Sequence, residues 1–341
     1  MNIKRFPLVS CHCKTLLTTL FVMMALTLGL TGCGGGTGAG SGDDDTLSIA
    51  VIPKGTAHVF WLSVHAGAKT AAEELGVEIE WQGPQTETQK SQQINIVNDF
   101  IVRQVDGICL APQDQDAMVT VVEQVARADI PCVIFDSGVN TDQYLSFVAT
   151  DNYEGGVKAA EEMGRLLEGE GTCMMVRTDP ASDSTNQREA GFMDTLEEKF
   201  PNIEIVDQQY GYSDRDQSRS VAEDMLTANP EVDAVFGSNE SSTFGALLAL
   251  QALDLAGDKI FVGFDSSVEL VNGLEAGEID ALVLQDPFNM GYTSVETVVK
   301  HLRGEEVTKE VNTGVYLVTP SNMNEPEMQR LLSPDLSILD Q

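Results

Sequence analysis

Short apolar runs alternate with amphipathic stretches along most of this chain, from about residue 47 to residue 318. Apolar runs bounded by turn residues are typical of strands that are buried on both faces of a parallel sheet. Between the runs, apolar residues recur at helical spacing, as they do at Ile94, Val97, Ile101 and Val105. A regular strand–helix alternation predicts an α/β protein with parallel sheets and right-handed crossovers.

The alternation divides into two similar halves, joined by the stretch from Ile130 to Gly156. In the first half the pattern predicts strands at 47–52, 77–81, 107–111, 131–135 and 147–149, and helices at 59–75, 91–105 and 117–128. In the second half it predicts helices at 153–167, 186–199, 214–227, 243–253, 268–276 and 291–302, and strands at 172–176, 203–206, 234–236, 259–265, 281–284 and 315–318. We therefore expect two doubly wound lobes, with Asp114 or Asp116 capping the third helix.

Polar side chains follow four of the predicted strands, where each apolar run stops. These residues are Asp136, Asn239, Asp265 and Gln285. Each one alone is also compatible with a simple turn. In open α/β sheets, however, ligands bind beyond the carboxyl ends of the strands. Four such residues from two halves therefore predict a ligand cleft between the lobes.

The first 33 residues have the pattern of an export signal. Lys4, Arg5 and Lys14 precede an apolar segment at 16–30, which as a helix of about 22 Å is short of the ~30 Å membrane core. The following Leu30–Thr31–Gly32–Cys33 resembles the bacterial lipobox. We expect a signal peptide at 1–32, lipid attachment at Cys33 and a Gly/Asp-rich tether at 33–45, with ordinary secretory cleavage as the alternative.

Charge and motif content exclude several functions. The formal net charge of −33 disfavours binding to nucleic acid. The sequence lacks the G-x-S-x-G, H-E-x-x-H and P-loop motifs, so we expect neither an enzyme nor a metal or cofactor. Cys109, Cys132 and Cys173 lie in apolar runs, which indicates buried thiols, although a Cys109–Cys132 bridge stays open.

The order and spacing of several segments resemble the periplasmic sugar-binding proteins of the ribose-binding type, the solute receptors of ABC importers, which share a fold with LacI-like repressor cores. The resemblance covers about residues 46–320. The segments that carry it are GAKTAAEELGVEI, VDGICLAPQDQDAM, IPCVIFD, VATDNYEGG, REAGF, FGSNESSTFGALLALQ, VGFDSS and GEIDALVLQDP.

This resemblance implies the fold of a type I periplasmic binding protein, in which two lobes joined by a three-strand hinge close on a sugar. It places the N-terminal lobe at 46–150 plus 286–313 and the C-terminal lobe with the tail at 151–285 plus 314–341. The ligand-binding residues that it implies are Asp136, Arg188, Asn239, Asp265, Gln285, Phe60, Trp61 and Lys54. It further implies a monomer that delivers a monosaccharide to an ABC permease. Together with the lipobox, it leads us to expect a protein anchored by lipid on the periplasmic or cell-surface side of a bacterial membrane.

Some positions keep alternatives open. Ser137 stands where ribose binders of the family carry an Arg, which argues against ribose itself. Lys54 is similar to a ligand-contacting Lys of the autoinducer-2 receptors, so a receptor for an autoinducer-2-like or other small polar signal is the alternative function. Phe60 and Trp61 fit either the core or the cleft, and Arg188 fits either the cleft or the surface. His58, Asn186 and Gln187 are undecided, and the spacing of Asp214 and Asp216 is incomplete for a calcium loop.

Overall fold

The computed structural model describes residues 46–340, in which strands and helices alternate as expected. The first half contains β1 (Ser48–Ile52), α1 (Val59–Leu75), β2 (Glu78–Trp81), α2 (Lys90–Arg103), β3 (Gly107–Leu110), α3 (Val119–Arg127), β4 (Cys132–Phe135) and β5 (Ser146–Ala149). The second half contains α4 (Asn152–Leu166), β6 (Glu170–Arg177), α5 (Asp183–Lys199), β7 (Asn202–Tyr210), α6 (Arg215–Ala228), β8 (Ala234–Gly237), α7 (Glu240–Ala252), β9 (Ile260–Phe264), α8 (Val268–Ala276) and β10 (Ala281–Gln285). The remaining elements are α9 (Pro287–Leu302), β11 (Glu310–Asn312), β12 (Val315–Val318), α10 (Pro326–Leu332) and a final 3₁₀ turn (Ser337–Asp340).

The strands form two six-stranded sheets with the same order. The first sheet runs β11-β5-β4-β3-β1-β2, and the second runs β12-β10-β9-β8-β6-β7. All described pairings are parallel except that of β12 with β10. Strand order reverses beside β1 in one sheet and beside β6 in the other, so each has the switch point of a doubly wound fold. The predicted fold class is confirmed.

Each sheet is covered by helices on both faces and has an apolar cluster on each face. We call the first sheet with α1, α2, α3 and α9 the first lobe, and the second sheet with α4 to α8 and α10 the second lobe. The central strands β3, β4 and β8 are buried at every position, which explains their continuous apolar sequences. The apolar pattern of the chain therefore reflects two separate sandwiched sheets.

The chain crosses between the lobes at three places. It crosses from β5 to α4, from β10 to α9, and from β11 to β12. Two of these crossings are joined by a hydrogen bond of 3.0 Å from the Thr313 N–H to the Ala149 carbonyl. Three adjacent crossings are the hinge implied by the sequence, whereas the residue boundaries of the lobes stay a prediction.

Several local predictions differ from the structure. Helices α5 and α7 each begin three residues earlier than expected, because polar residues that looked like loop form their first turns. Helix α3 begins at Val119, and Asp114 instead accepts hydrogen bonds from Asp116 and Ala117 in the turn before it. Strand β11 was not predicted, because it has a single apolar residue, Val311. Helix α10 and the 3₁₀ turn of the C-terminal tail were not predicted either.

The C-terminal tail returns to the first lobe. Helix α10 packs against β10, and the 3₁₀ turn packs against α1, where Lys69 Nζ donates to the Ile338 carbonyl over 2.7 Å. Cys109, Cys132 and Cys173 are free thiols, so the Cys109–Cys132 bridge does not form. None of the helices between residues 46 and 340 has the length and apolar character needed to cross a membrane. The expected signal peptide, lipid attachment at Cys33 and tether lie outside the described residues.

Candidate functional site

Two aspartates occupy equivalent positions in the two lobes. Asp136 directly follows β4 and Asp265 directly follows β9, and these strands hold the same place in their sheets. Both have a left-handed backbone, with φ of 63° and 68°. Their N–H groups donate to the carbonyls of Val148 and Val283 on the neighbouring strands, over 3.0 and 2.8 Å. A non-glycine residue in this region is uncommon and concentrates at functional sites, so the shared conformation marks both residues.

The two aspartates face one cleft between the lobes, with about 350 Å³ of free space. The first lobe contributes Lys54, His58, Phe60, Trp61, Glu87 and Asp136. The second lobe contributes Ser184, Thr185, Arg188, Asn239, Glu240, Asp265 and Gln285. All eight residues expected from the sequence therefore meet in this cleft.

Lys54 and Asp136 form a buried ion pair at the first-lobe wall. Their charged atoms lie 2.8 Å apart, and both residues are almost completely buried. Lys54 Nζ also donates to Ser184 Oγ over 3.1 Å and to Ser182 Oγ over 3.4 Å, both in the second lobe. Lys54 therefore connects the Asp136 carboxylate of the first lobe to two serine hydroxyl groups of the second lobe.

Four groups of the second lobe contact the Arg188 side chain and fix its position. Its Nε donates to Asn152 Oδ1 over 2.8 Å, and Nη1 donates to the Ser238 carbonyl over 3.3 Å. The guanidinium lies 4.0 Å from the centre of the Phe264 ring and 3.6 Å from Asp265 Oδ2. This fixation of a planar fork of donors suits directional hydrogen bonding to a ligand.

Asp265 and Gln285 form a second polar pair. Gln285 Nε2 donates to Asp265 Oδ1 over 2.7 Å, and the Glu240 N–H donates to Asp265 Oδ2 over 3.1 Å. Burial raises the pKa of Asp265, and the nearby charges of Asp136 and Glu240 add to this, although Arg188 and Gln285 partly offset it. Gln285 Oε1 is buried and accepts no hydrogen bond from any described residue, which leaves it an acceptor for a ligand hydroxyl.

Asn239 has a structural role as well as a place in the cleft. Its Oδ1 accepts from the Ser242 N–H over 2.9 Å, which caps the N-terminus of α7. The side-chain amide nitrogen is left as the group that can serve a ligand. The turn-capping interpretation and the cleft interpretation of Asn239 are thus compatible.

Trp61 belongs both to the core and to the cleft, the two alternatives that the sequence left open. It is 2% exposed and belongs to the first-lobe core, yet it lines the cleft together with the half-buried Phe60. Its Nε1 donates to Glu87 Oε1 over 2.8 Å, and the two aromatic rings pack edge to face at 4.8 Å. These contacts fix an apolar surface at one side of a polar cleft.

Sequence reasoning missed four lining residues. The sequence pattern predicts that α5 begins at 186, which assigns Ser184 and Thr185 to a loop, and Glu87 and Glu240 belong to no recognisable motif. His58, which was undecided, lines the cleft. Asn186 and Gln187 do not line it; they donate instead to the Pro180 carbonyl and to Asp183 Oδ2.

A larger cavity, with about 850 Å³ of free space, lies between α1, the start of α9 and the C-terminal tail. Its charged pair, Asp286 and Arg330, is already joined by hydrogen bonds of 2.8 and 3.2 Å. It contains neither Asp136 nor Asp265. The smaller cleft is therefore the candidate ligand site.

The fold and the cleft define a two-lobed binding protein with its site between the lobes. The periplasmic binding protein domain matches residues 49–306, so the chain belongs to this family. The ribose import binding protein RbsB of Escherichia coli (strain K12) is 29% identical over 272 residues, which cover 80% of this chain and 90% of that protein.

Solved structures give the same result. A carbohydrate transporter solute-binding protein from Agrobacterium radiobacter, in complex with D-arabinose, has a TM-score of 0.83 and 31% identity and covers 85% of this chain and 100% of that chain. An ABC transporter solute-binding protein from Agrobacterium vitis with bound D-fucose has a TM-score of 0.81 and 34% identity and covers 84% of this chain and 99% of that chain. The predicted family is confirmed, and with it the prediction of a transport-associated binding protein rather than an enzyme.

Proposed function

We propose that this protein captures a neutral monosaccharide by closure of its two lobes and delivers it to an ABC importer. The observation that carries the proposal is the cleft itself, which is small and polar, takes residues from both lobes and pairs each of its cationic side chains with a carboxylate. A signal peptide at 1–32, lipid attachment at Cys33 and a tether at 33–45 would hold the protein outside the cytoplasm at a membrane.

The lining of the cleft suits a ligand with hydroxyl groups around its edge. Polar side chains from both lobes line it, beside the aromatic rings of Phe60 and Trp61. The relatives named above, which bind or import ribose, D-arabinose and D-fucose, support the same ligand class.

The charges of the cleft favour a neutral ligand. Its cations already face carboxylates: Lys54 pairs with Asp136, Arg188 lies beside Asp265, and His58 pairs with Glu240. A charged ligand would bring an unpaired charge into a buried site, which is costly. A polyhydroxylated ring needs only hydrogen-bond acceptors and donors, which the cleft already provides.

In this proposal each group meets one part of the sugar. Gln285 Oε1 and the two aspartates accept hydrogen bonds from hydroxyl groups, and Arg188 and the Asn239 amide nitrogen donate to ring or hydroxyl oxygens. Trp61 and Phe60 pack against the apolar C–H face. A sugar that left one of these buried groups unpaired would lose about 1–3 kcal/mol of binding free energy, so the hydrogen-bond set determines specificity.

Ribose itself is disfavoured. Ser137 stands where the resemblance implies an Arg in ribose binders, and here its Oγ accepts from the Ser184 N–H of the other lobe over 3.1 Å. A short hydroxyl that is used for contact between the lobes does not replace a guanidinium that reaches a ligand.

The second candidate is a receptor for an autoinducer-2-like or other small polar signal. The position of Lys54 in the cleft favours this alternative, because the resemblance implies ligand contact by such a Lys. Here, however, Lys54 is already paired with Asp136. We therefore place this function second.

The experiment is a thermal-shift screen of the intact protein against neutral pentoses, hexoses, deoxy sugars and autoinducer-2. A ligand at a hundred times its Kd adds about 2.7 kcal/mol to the free energy of unfolding, which raises the melting temperature measurably. A neutral monosaccharide that stabilises the protein supports uptake of that sugar. A response to autoinducer-2 alone would select the second candidate, and no response at all would contradict both.

The membrane anchor is tested separately in cells that make the protein. We expect wild type in the membrane fraction and Cys33→Ser in the soluble extracytoplasmic fraction. Equal distribution of the two proteins would contradict lipid attachment at Cys33.

A further inference from the structure

His58 and Glu240 join the two lobes across the cleft. His58 immediately precedes α1 in the first lobe, and Glu240 is the first residue of α7 in the second. His58 Nδ1 lies 3.0 Å from Glu240 Oε2, and the Glu240 side chain is only 4% exposed. Both residues line the ligand cleft, yet they satisfy each other rather than pointing an unpaired group at a ligand.

Glu240 is fixed before it meets His58. Arg215 of α6 pairs with the Glu240 carboxylate through two nitrogens, with its Nε at 3.2 Å from Oε2. The Arg215 guanidinium in turn lies 4.1 Å from the centre of the Phe244 ring. The second lobe therefore holds a preformed anionic site, to which the first lobe brings a single imidazole.

The other contacts between the lobes differ from this one in their titration. Lys54 donates to Ser182 and Ser184, the Gly138 N–H donates to Asp183 Oδ2 over 3.0 Å, and Lys90 lies 3.4 Å from Asp179. Between about pH 5 and pH 8, ordinary Lys and Asp side chains keep their charge and hydroxyl groups stay neutral, whereas His changes its charge in that range. Compared with these other contacts between the lobes, the pair of His58 and Glu240 is the one that responds to pH near neutrality.

We propose that His58 and Glu240 form a closing latch, which holds the lobes together when His58 is protonated and weakens closure, and with it ligand affinity, when His58 is neutral. In this arrangement the two residues position the lobes and do not themselves select the sugar. The inference rests on the proposed function in that closure is what captures the ligand.

The surroundings of His58 support this direction. Three charged groups face it: Glu240 from α7, Arg215 from α6 and Glu87 from the segment before α2. Burial and Arg215 act to lower the pKa of His58, but the hydrogen bond to Glu240 and the charges of Glu87 and Glu240 outweigh them, so the pKa is raised above 6.5. Burial alone would raise the pKa of Glu240, yet His58 and Arg215 lower it, so Glu240 stays ionised.

The sign of the effect follows from linkage. A His whose pKa is higher in the closed state than in the open state stabilises closure fully at a pH below its open-state pKa. This contribution is lost as the pH rises through the raised closed-state pKa. We therefore expect tight closure in mildly acidic solution and weaker closure in mildly alkaline solution.

The first test needs no sugar. Small-angle X-ray scattering gives the radius of gyration of the intact, ligand-free protein at about pH 5.5 and about pH 8.5, on either side of the His transition. We expect wild type to be more compact at the lower pH and His58→Gln to have the same radius at both. A wild-type radius that does not change, or that changes in the opposite direction, would overturn the latch even if a sugar ligand were found.

The second test uses the sugar that the thermal-shift screen identifies. By calorimetry we expect the affinity of wild type to fall by about tenfold between the same two pH values, which corresponds to about 1.4 kcal/mol. His58→Gln should bind with one weaker affinity throughout. Glu240→Gln, which keeps the size of the side chain, should also lose the pH dependence and serves if His58→Gln does not fold.

His65→Gln is the matched control. His65 lies on the same helix, but its ring stacks on Trp81 of the first lobe at 4.4 Å and makes no described contact across the cleft. This variant should keep the wild-type pH dependence. Persistence of the slope in His58→Gln, or its loss in His65→Gln, would overturn the proposal. If no sugar binds, the proposed function fails while the scattering experiment still decides the latch.

Discussion

At the residue scale, the sequence predicts the positions of the two strand-end aspartates but not their backbone conformation. An apolar run that stops at a carboxylate was visible in the sequence for both Asp136 and Asp265. The left-handed backbone of each was not, because φ depends on the hydrogen bonds to Val148 and Val283 on strands that are adjacent only in the fold. The ion pair of Lys54 with Asp136 was hidden for the same reason.

Replacing Asp136 tests the role of that pair in binding. Asp136→Asn leaves the buried Lys54 charge uncompensated, so it should lower the melting temperature. It also removes a charged acceptor for a ligand hydroxyl, worth about 1.5–3 kcal/mol, so it should weaken ligand binding by about 10- to 100-fold. The double variant Lys54→Met with Asp136→Asn removes the unpaired cation, so it should regain stability without regaining affinity. Calorimetry and thermal unfolding measure the two effects separately, and full affinity in the single variant would exclude Asp136 from the site.

Replacing Asp265 should also lower both stability and ligand affinity. Its pKa is raised chiefly by burial, so the carboxyl group contributes stability at low pH that is lost as the pH rises through its pKa in the folded protein. Asp265→Asn keeps one acceptor oxygen for Gln285, but it leaves the Glu240 N–H without its acceptor and the buried Arg188 without its carboxylate. It should therefore lower the melting temperature of the ligand-free protein at neutral pH.

The same variant should bind the sugar about 10- to 100-fold more weakly, because a hydrogen bond to a charged group contributes about 1.5–3 kcal/mol. Melting curves without ligand and titrations with ligand provide the two readouts. A less stable protein with unchanged affinity would mean that Asp265 serves the fold rather than the site.

At the scale of elements, the alternating pattern was enough to predict most strands and helices and both sheets. It failed where polar residues were recruited into helix starts, as in α5 and α7, because these first turns face the cleft instead of a core. It failed again at β11, which is an edge strand stabilised by pairing with β5 rather than by its own side chains. What could not be predicted therefore lies mainly where an element meets the site or the edge of a sheet.

The close packing of α4 on α5 positions Arg188. A Cβ atom on Gly156 of α4 would lie 2.0 Å from the Arg188 carbonyl oxygen, so only glycine permits this distance between the two helices. Gly156→Ala should push α5 away, destabilise the protein by about 1–3 kcal/mol and weaken ligand binding. Denaturant unfolding and calorimetry measure these two effects.

Gly164→Ala on the same helix provides the control. There the new methyl group meets the Phe200 ring, at 2.5 Å, rather than the backbone of α5, and the site is remote from Arg188. It should cost less stability and leave the affinity unchanged. Equal losses of affinity in the two variants would show that the position of Arg188 is not what Gly156 protects.

At the scale of the whole molecule, function depends on two lobes that present complementary polar groups to one cleft. The resemblance of the sequence to a known family was sufficient to predict the family, the hinge and the residues that converge there. It could not predict that the cations of the cleft would be neutralised within it, since Lys54, Arg188 and His58 meet their carboxylates only in the folded chain. This pairing of every cationic side chain in the cleft is the basis for expecting a neutral ligand.

The most direct test of this account is a calorimetric titration of the intact protein with three matched ligands. These are the neutral monosaccharide that stabilises it, the uronic acid of that sugar and its amino sugar. The account predicts that the neutral sugar binds and that each charged analogue binds at least about tenfold more weakly, a difference of about 1.4 kcal/mol. Tighter binding of the acid or of the amine would contradict a site for a neutral sugar.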